Sequence, residues 1–78
     1  MISEETIKTV ASLLQLNQKE ILVLKTLIKG MTIKKSSRHL HMKTKLVEYY
    51  RKKIFDKFCV HNRNAIIHIL QGFEGNRK

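Results

Sequence analysis

The fold is decided by residues 30–58, which read GMTIKKSSRHLHMKTKLVEYYRKKIFDKF. Gly30 can adopt the left-handed conformation that ends a helix, so a preceding helix is expected to stop there. Thr32 can then cap a short helix that runs to about Leu40. The inner face of this short helix contains two serines, so it buries little apolar surface and depends on its neighbours for stability.

A longer helix is predicted after a break at His41 and Met42, from residue 43 or 44 to about residue 58. One of its sides has apolar residues at helical spacing, namely Val47, Ile54 and Phe58, together with Tyr50 or Arg51. Its other side is mostly polar and reads Lys45, Glu48, Tyr49, Lys52 and Asp56. A helix, a short helix, a turn and a longer basic helix follow one another in this order in a helix-turn-helix.

The charge of the chain is concentrated in its middle third. Sixteen Lys and Arg against six Asp and Glu give a formal net charge of +10. Ten of the basic side chains but only two of the acidic ones lie within residues 31–63, so this segment accounts for +8 of that charge. A polyanion is therefore the expected partner, the alternative being a basic surface that only meets solvent. No apolar run approaches the ~20 residues of a membrane-spanning helix, so no membrane partner is expected.

Helical patterns also precede this stretch. Ser3 can cap an amphipathic helix over about residues 3–14, and Asn17 with Glu20 predicts a capping box that begins a second helix. Residues 1–15 are therefore interpreted as an N-terminal amphipathic helix, which is either a fixed part of the bundle or a linker. The methionine start favours a stand-alone protein over a fragment of a larger one.

A last helix is predicted from about residue 62 to 71, stopping near Gly72. The domain is then expected to cover residues 16–73, with a flexible tail at residues 74–78. Taken together, the patterns predict an all-α fold, a small helical bundle of four to five helices that contains a helix-turn-helix. A single domain of this size leaves little room for a catalytic cleft, so neither an enzyme nor a cofactor is expected.

The apolar residues of the last helix exceed what one face needs. They are Ala65, Ile66, Ile67, Ile69 and Leu70. A second buried surface is implied, and a dimer built on Ile66, Ile67 and Leu70 is its simplest form. The alternative is that all of them fill a small core.

Residues 16–70 resemble the LuxR-type, or GerE-like, helix-turn-helix domain. The resemblance rests on an ungapped set: Leu16, Glu20, Val23, Leu24, Leu27, Gly30, Met31, Thr32, Leu40, Val47, Arg51, Ile54, Lys57, Phe58, Val60, Asn62 and Arg63. It implies a four-helix domain whose third helix enters the major groove of double-stranded DNA and whose fourth helix often forms a two-fold dimer contact. It also implies a regulator of transcription in the bacterial cytoplasm, acting at the nucleoid, with RNA polymerase as a further candidate partner.

The resemblance assigns DNA-contacting roles along the longer helix. Its base-facing positions fall on Glu48, Tyr49 and Lys52. Its backbone-facing positions fall on Thr44, Lys45, Tyr50, Arg51, Lys53 and Arg63. The chain departs from the family pattern at Lys35, Ser36 and Ser37 in the short helix, and at Lys43, Leu46 and Tyr50 around the longer one. The resemblance does not indicate which DNA sequence these side chains would recognise.

Two further readings of the sequence stay open. His39, His41, Cys59 and His61 could in principle bind zinc, but their spacing matches no common zinc finger, so no metal site is assigned. The second is an accessory or inhibitory protein, which would use the same fold to pair with a full-length regulator of the family. The dimer would then be a heterodimer with a related regulator.

Overall fold

The computed structural model of the chain describes residues 2–75. They form five helices: α1 (Glu4–Leu14), α2 (Gln18–Ile28), α3 (Ile33–Leu40), α4 (Thr44–Phe58) and α5 (Arg63–Gly75). No strand occurs within this part of the chain. The predicted all-α bundle of four to five helices is confirmed, and so are the bounds predicted for α4.

Polar side chains begin the first three helices as predicted. The Ser3 hydroxyl accepts a hydrogen bond from the backbone N–H of Thr6, and the Thr32 hydroxyl accepts one from the N–H of Lys35. At α2, Asn17 and Glu20 form the complete capping box. Lys43 stands at the N-cap of α4 and makes no such bond, so the first turn of α4 is held by packing and backbone hydrogen bonds.

Left-handed residues separate the helices. Gly30 has φ +79°, and a Cβ there would lie 3.3 Å from Nη2 of Arg63. The same conformation is adopted by Gln15, His41 and Cys59 at the ends of α1, α3 and α4. These sharp ends allow five helices to fold back on one another within a short chain.

One core joins all the helices except α3, which packs beside it. Its buried members are Ile7, Val10, Ala11, Leu16, Val23, Leu24, Leu27, Val47, Ile54, Phe58, Ile66 and Leu70. Helix α4 packs on α2 and α3, while α5 packs on α1 and α2. The short helix α3 contributes the buried Ser36 to this packing, in keeping with its weakly apolar inner face.

Helix α1 packs against the rest of the bundle. It buries Thr6, Ile7, Val10 and Ala11. Its Glu4 forms an ion pair of 2.8 Å with Lys25 of α2. The backbone N–H of Ser3 donates to Oε1 of Glu74 on α5 over 2.6 Å.

The predicted end of the last helix is wrong. Helix α5 continues past Gly72 to Gly75, so Glu74 belongs to the helix and not to a tail. A glycine inside a helix costs only about 1 kcal/mol, and the packing of Phe73 against the core with the Ser3 contact of Glu74 offsets it. Residues 76–78 of the predicted tail lie outside the described residues. No helix within residues 2–75 is long and apolar enough to span a membrane.

Candidate nucleic-acid interface

The buried side of α4 determines which of its side chains face solvent. Val47 and Ile54 are fully buried, and Phe58 is nearly so. These three side chains fix the rotation of α4 about its axis, because successive turns of a helix present residues three and four apart on one face. The opposite side of α4 must therefore face solvent.

The opposite side of α4 carries the residues predicted to face DNA bases. Glu48, Tyr49 and Lys52 are all exposed, and so is Lys45 beside them. Tyr49 has 52% of its surface exposed. The four side chains form one continuous ridge, which we call the α4 ridge (Lys45, Glu48, Tyr49 and Lys52). It offers hydrogen-bond donors, an acceptor and an aromatic ring to a groove of DNA.

Two neighbouring side chains lie close to the ring of Tyr49. Its centroid lies 5.3 Å from that of Tyr50, with the rings inclined at 68° in an edge-to-face arrangement. The ammonium of Lys53 lies 5.5 Å from the centroid of the Tyr49 ring, within the range of a cation–π contact. Tyr49, Tyr50 and Lys53 thus lie close together along α4.

The residues predicted to face the DNA backbone divide into two groups. Thr44, Lys45 and Lys53 are exposed, while Tyr50 and Arg51 are half-buried. Nη1 of Arg51 donates to the carbonyl of Met31 over 3.5 Å. Burial lowers the pKa of Arg51 and the nearby charge of Arg63 adds to this effect, although an arginine stays protonated at neutral pH. Only the first group is exposed on the surface of α4.

Arg63 has a structural role that the sequence reading did not anticipate. Its Nε donates to the carbonyl of Leu27 over 2.6 Å, and its Nη2 donates to the carbonyl of Ile28 over 2.8 Å. These are the last carbonyls of α2, which lack partners within the helix. The guanidinium is thus a cap for α2, and the DNA-backbone contact of Arg63 stays a prediction. Gly30 leaves the space that the guanidinium occupies.

The predicted dimer residues differ in how far they are buried. Ile66 and Leu70 have no exposed surface, because both point into the core beneath α5. Neither can contact a second chain while this core is intact. Ile67 is half-buried and keeps accessible surface.

An ion pair missed by the sequence reading positions the C-terminal end of α4. Nζ of Lys57 lies 3.0 Å from Oε1 of Glu20 and donates to the carbonyl of Gln15, also over 3.0 Å. Burial acts to raise the pKa of Glu20, but the Asn17 N–H and the Lys57 ammonium outweigh it and hold the pKa below 4.5. The capping box revealed Glu20 in the sequence, but nothing there indicated its partner on α4.

Further cations lie beside the α4 ridge. Lys34, Lys35 and Arg38 on α3 are exposed, as is Lys43 in the turn before α4. In the sequence these cations belong to the basic segment of residues 31–63. The charge of that segment does not indicate which of its lysines and arginines lie next to the ridge. Leu46 was missed as a site residue and has 36% of its surface exposed on α4.

The four residues considered for zinc do not form a site. His39, His41, Cys59 and His61 are all exposed. Across residues 2–75, no three His, Cys, Asp or Glu side chains are placed to hold a metal ion.

Comparison with protein families finds one match. Residues 14–70 match the model of the GerE domain, described as bacterial regulatory proteins, luxR family. The match includes α2, α3 and α4 with most of α5, and leaves all of α1 except Leu14 outside. Comparison with curated proteins and with solved structures finds no match.

Proposed function

The chain belongs to the LuxR family of bacterial regulatory proteins, which bind DNA to regulate transcription, and we propose that it reads a specific DNA sequence with α4. In this proposal α4 lies in the major groove with the α4 ridge against the base edges. Lys52 donates to guanine O6 or N7, Glu48 accepts from a cytosine amino group, and the Tyr49 ring packs on a thymine methyl. The molecule acts at the bacterial nucleoid.

One observation supports this proposal above the others. The α4 ridge lies opposite the fully buried Val47 and Ile54, so the helix is anchored along one side and free along the other. A recognition helix needs this combination, because base contacts require side chains whose positions are set by the scaffold beneath them. The exposed cations Lys43 and Lys53 flank the ridge and, together with Lys45 at its N-terminal end, supply the contacts to phosphate.

The molecule is proposed to bind as a dimer. Two copies related by a two-fold axis would place their α4 helices roughly 34 Å apart, one turn of DNA, and would select a pseudo-palindromic site. The accessible side chains of α1 and α5 would form the contact, since Ile66 and Leu70 are in the core.

The proposal is tested by titrating the chain against the duplex that it selects from a random pool. Binding should be tight at low salt, and log affinity should fall with log salt at a slope of about 0.9 for each phosphate contacted. For variants that remove a lysine of α4, Lys8→Ala on α1 is the control for the change in net charge, since it removes an exposed lysine outside the family match. Failure to enrich any sequence, with equal binding to all duplexes, would contradict specific reading.

A second candidate function is pairing with a full-length regulator of the same family. The observation that favours it is the exposure of Leu46 beside Tyr49 on α4, since apolar and aromatic side chains are enriched at protein contacts. In this case the chain alone would enrich no duplex from the random pool. Adding the regulator would then give a complex whose formation is lost with Leu46→Lys.

A further inference from the structure

Asp56 is an exposed acid on the same side of α4 as the α4 ridge. At about 100° per residue, it lies about 20° around the helix axis from Lys45 and about 160° from the buried Ile54. Apart from Glu48, it is the only Asp or Glu in the basic segment of residues 31–63. An acid therefore interrupts the basic surface at the C-terminal end of the ridge.

The carboxylate of Asp56 stands among cations without forming an ion pair. It lines a shallow groove of about 270 Å³ together with Tyr49, Lys52 and Lys53. No Lys or Arg nitrogen within residues 2–75 lies close enough to this carboxylate to form a salt bridge. A lysine four residues before an acid is also the less favourable order for a pair on a helix. The oxygens of Asp56 are thus available to accept a hydrogen bond from a ligand.

The position of Asp56 in α4 is unfavourable for the stability of the helix. The helix ends at Phe58, so Asp56 lies in its last turn. The C-terminal end of a helix carries a partial negative charge, which disfavours an acid there. The side chain is exposed, so it adds nothing to the core either. The placement of this carboxylate is therefore better explained by binding than by folding.

We propose that Asp56 selects a cytosine in the DNA site by accepting a hydrogen bond from the exocyclic amino group of that base. In the major groove cytosine presents only this amino donor, whereas guanine and thymine present acceptors that repel a carboxylate. The charge of Asp56 also excludes a contact with phosphate. The inference rests on the proposed function, because it requires α4 to lie in the major groove.

The spacing along α4 locates the base that Asp56 contacts. At 1.5 Å per residue, Asp56 lies about 6 Å beyond Lys52 along the helix axis. Successive base pairs are about 3.4 Å apart, so its contact falls about two base pairs beyond that of Lys52 when α4 lies along the groove. The selected cytosine therefore lies at one edge of the segment that α4 reads.

The test is selection from a random duplex pool with the unchanged protein and with Asp56→Asn, Asp56→Ala and Glu5→Ala. All three variants remove one negative charge, and Glu5 is an exposed residue of α1 outside the family match. Asp56→Asn should replace the selected cytosine by adenine at one position, because a carboxamide pairs with adenine N6 and N7. Asp56→Ala should reduce the preference at this position about tenfold. Glu5→Ala should select the same site as the unchanged protein.

Thermal unfolding separates a contact with DNA from a structural role. The Tm of Asp56→Asn should equal or exceed that of the unchanged protein, because the removed charge lies at the unfavourable end of α4. A lower Tm would assign Asp56 to the fold and overturn the inference.

The selected sequences give the other results that would overturn it. These are an unchanged site for both Asp56 variants, or affinity that rises equally on every duplex for these variants and for Glu5→Ala. The proposed function would stand in both cases, provided that the unchanged protein enriches one sequence. Failure of the unchanged protein to enrich any sequence would instead contradict the proposed function, and the inference with it.

Discussion

Glu20 is the residue through which the beginning of α2 holds the end of α4. Only 2% of its surface is exposed. One carboxylate oxygen accepts from the Asn17 N–H over 2.8 Å and from the Lys57 ammonium over 3.0 Å. The two bonds favour the ionised form, and together they outweigh the burial that opposes it, so the pKa of Glu20 lies below its ordinary value.

We therefore expect Glu20→Gln to lower the free energy of unfolding by about 1–2 kcal/mol at pH 7. A carboxylate with a depressed pKa stabilises the fold fully above its unfolded pKa, and this contribution is lost as the pH falls through its folded pKa. The difference between the two proteins should thus disappear in acid. Urea unfolding from pH 7 to pH 3 measures it, with Glu48→Gln on the exposed side of α4 as control. A difference that persists unchanged in acid would contradict this role.

Residue contacts within one helix could be predicted from the sequence, while contacts between helices could not. Asn17 and Glu20 are three residues apart, and the geometry of a helix N-terminus brings such a pair together. Lys57 and Arg63 lie far along the chain from the groups that they bind. A lysine or arginine has the same sequence signature whether it binds a phosphate or the end of another helix, so the role of Arg63 as a cap for α2 could not be predicted.

At the scale of the elements, α3 is the shortest of the five described helices, and Ser36 is its one buried residue. Its Ser36 hydroxyl is buried and has no hydrogen-bond partner among the described residues. The neighbouring Ser37 hydroxyl, in contrast, donates to the carbonyl of Met42 in the turn that leads to α4. Adjacent serines of one short helix thus have opposite hydrogen-bonding states.

This contrast predicts opposite effects for two alanine substitutions. Ser36→Ala should raise the free energy of unfolding by about 1 kcal/mol, because it removes an unsatisfied buried hydroxyl and improves helix propensity. Ser37→Ala should lower it by about 1 kcal/mol, because the carbonyl of Met42 loses its donor. Each variant is the control for the other in thermal or urea unfolding. Equal changes of the same sign would show that the hydroxyls are not the cause.

The bounds of the elements were predicted well where a local signal exists. Ser3, Asn17, Thr32 and Gly30 mark helix ends through their own side chain or conformation. The end of α5 was misplaced because Gly72 was read as a stop signal. Only tertiary packing, through Phe73 and the contact of Glu74 with α1, carries the helix further.

At the scale of the whole molecule, charge separates two surfaces. The basic segment folds into α3 and α4, while α1 and α5, which pack on each other, carry the uncharged stretches of residues 9–14 and 64–73. The sequence was sufficient to predict that α4 would be basic and that its ridge would be exposed, because helical periodicity distinguishes its two sides. It was not sufficient to separate Ile66, which is fully buried, from Ile67 and Ile69, which keep accessible surface, since the three are alike in sequence.

The most direct test of the central claim compares Lys52→Ala with Lys53→Ala on the selected duplex and on a scrambled one. Both remove one lysine from an exposed position of α4, so they change the net charge equally. Lys52→Ala should reduce the discrimination between the duplexes by about 1–3 kcal/mol, the value of a lost base contact. Lys53→Ala should weaken binding to both duplexes alike and lower the salt slope by about one. Equal losses on both duplexes for both variants would contradict the claim that α4 reads sequence.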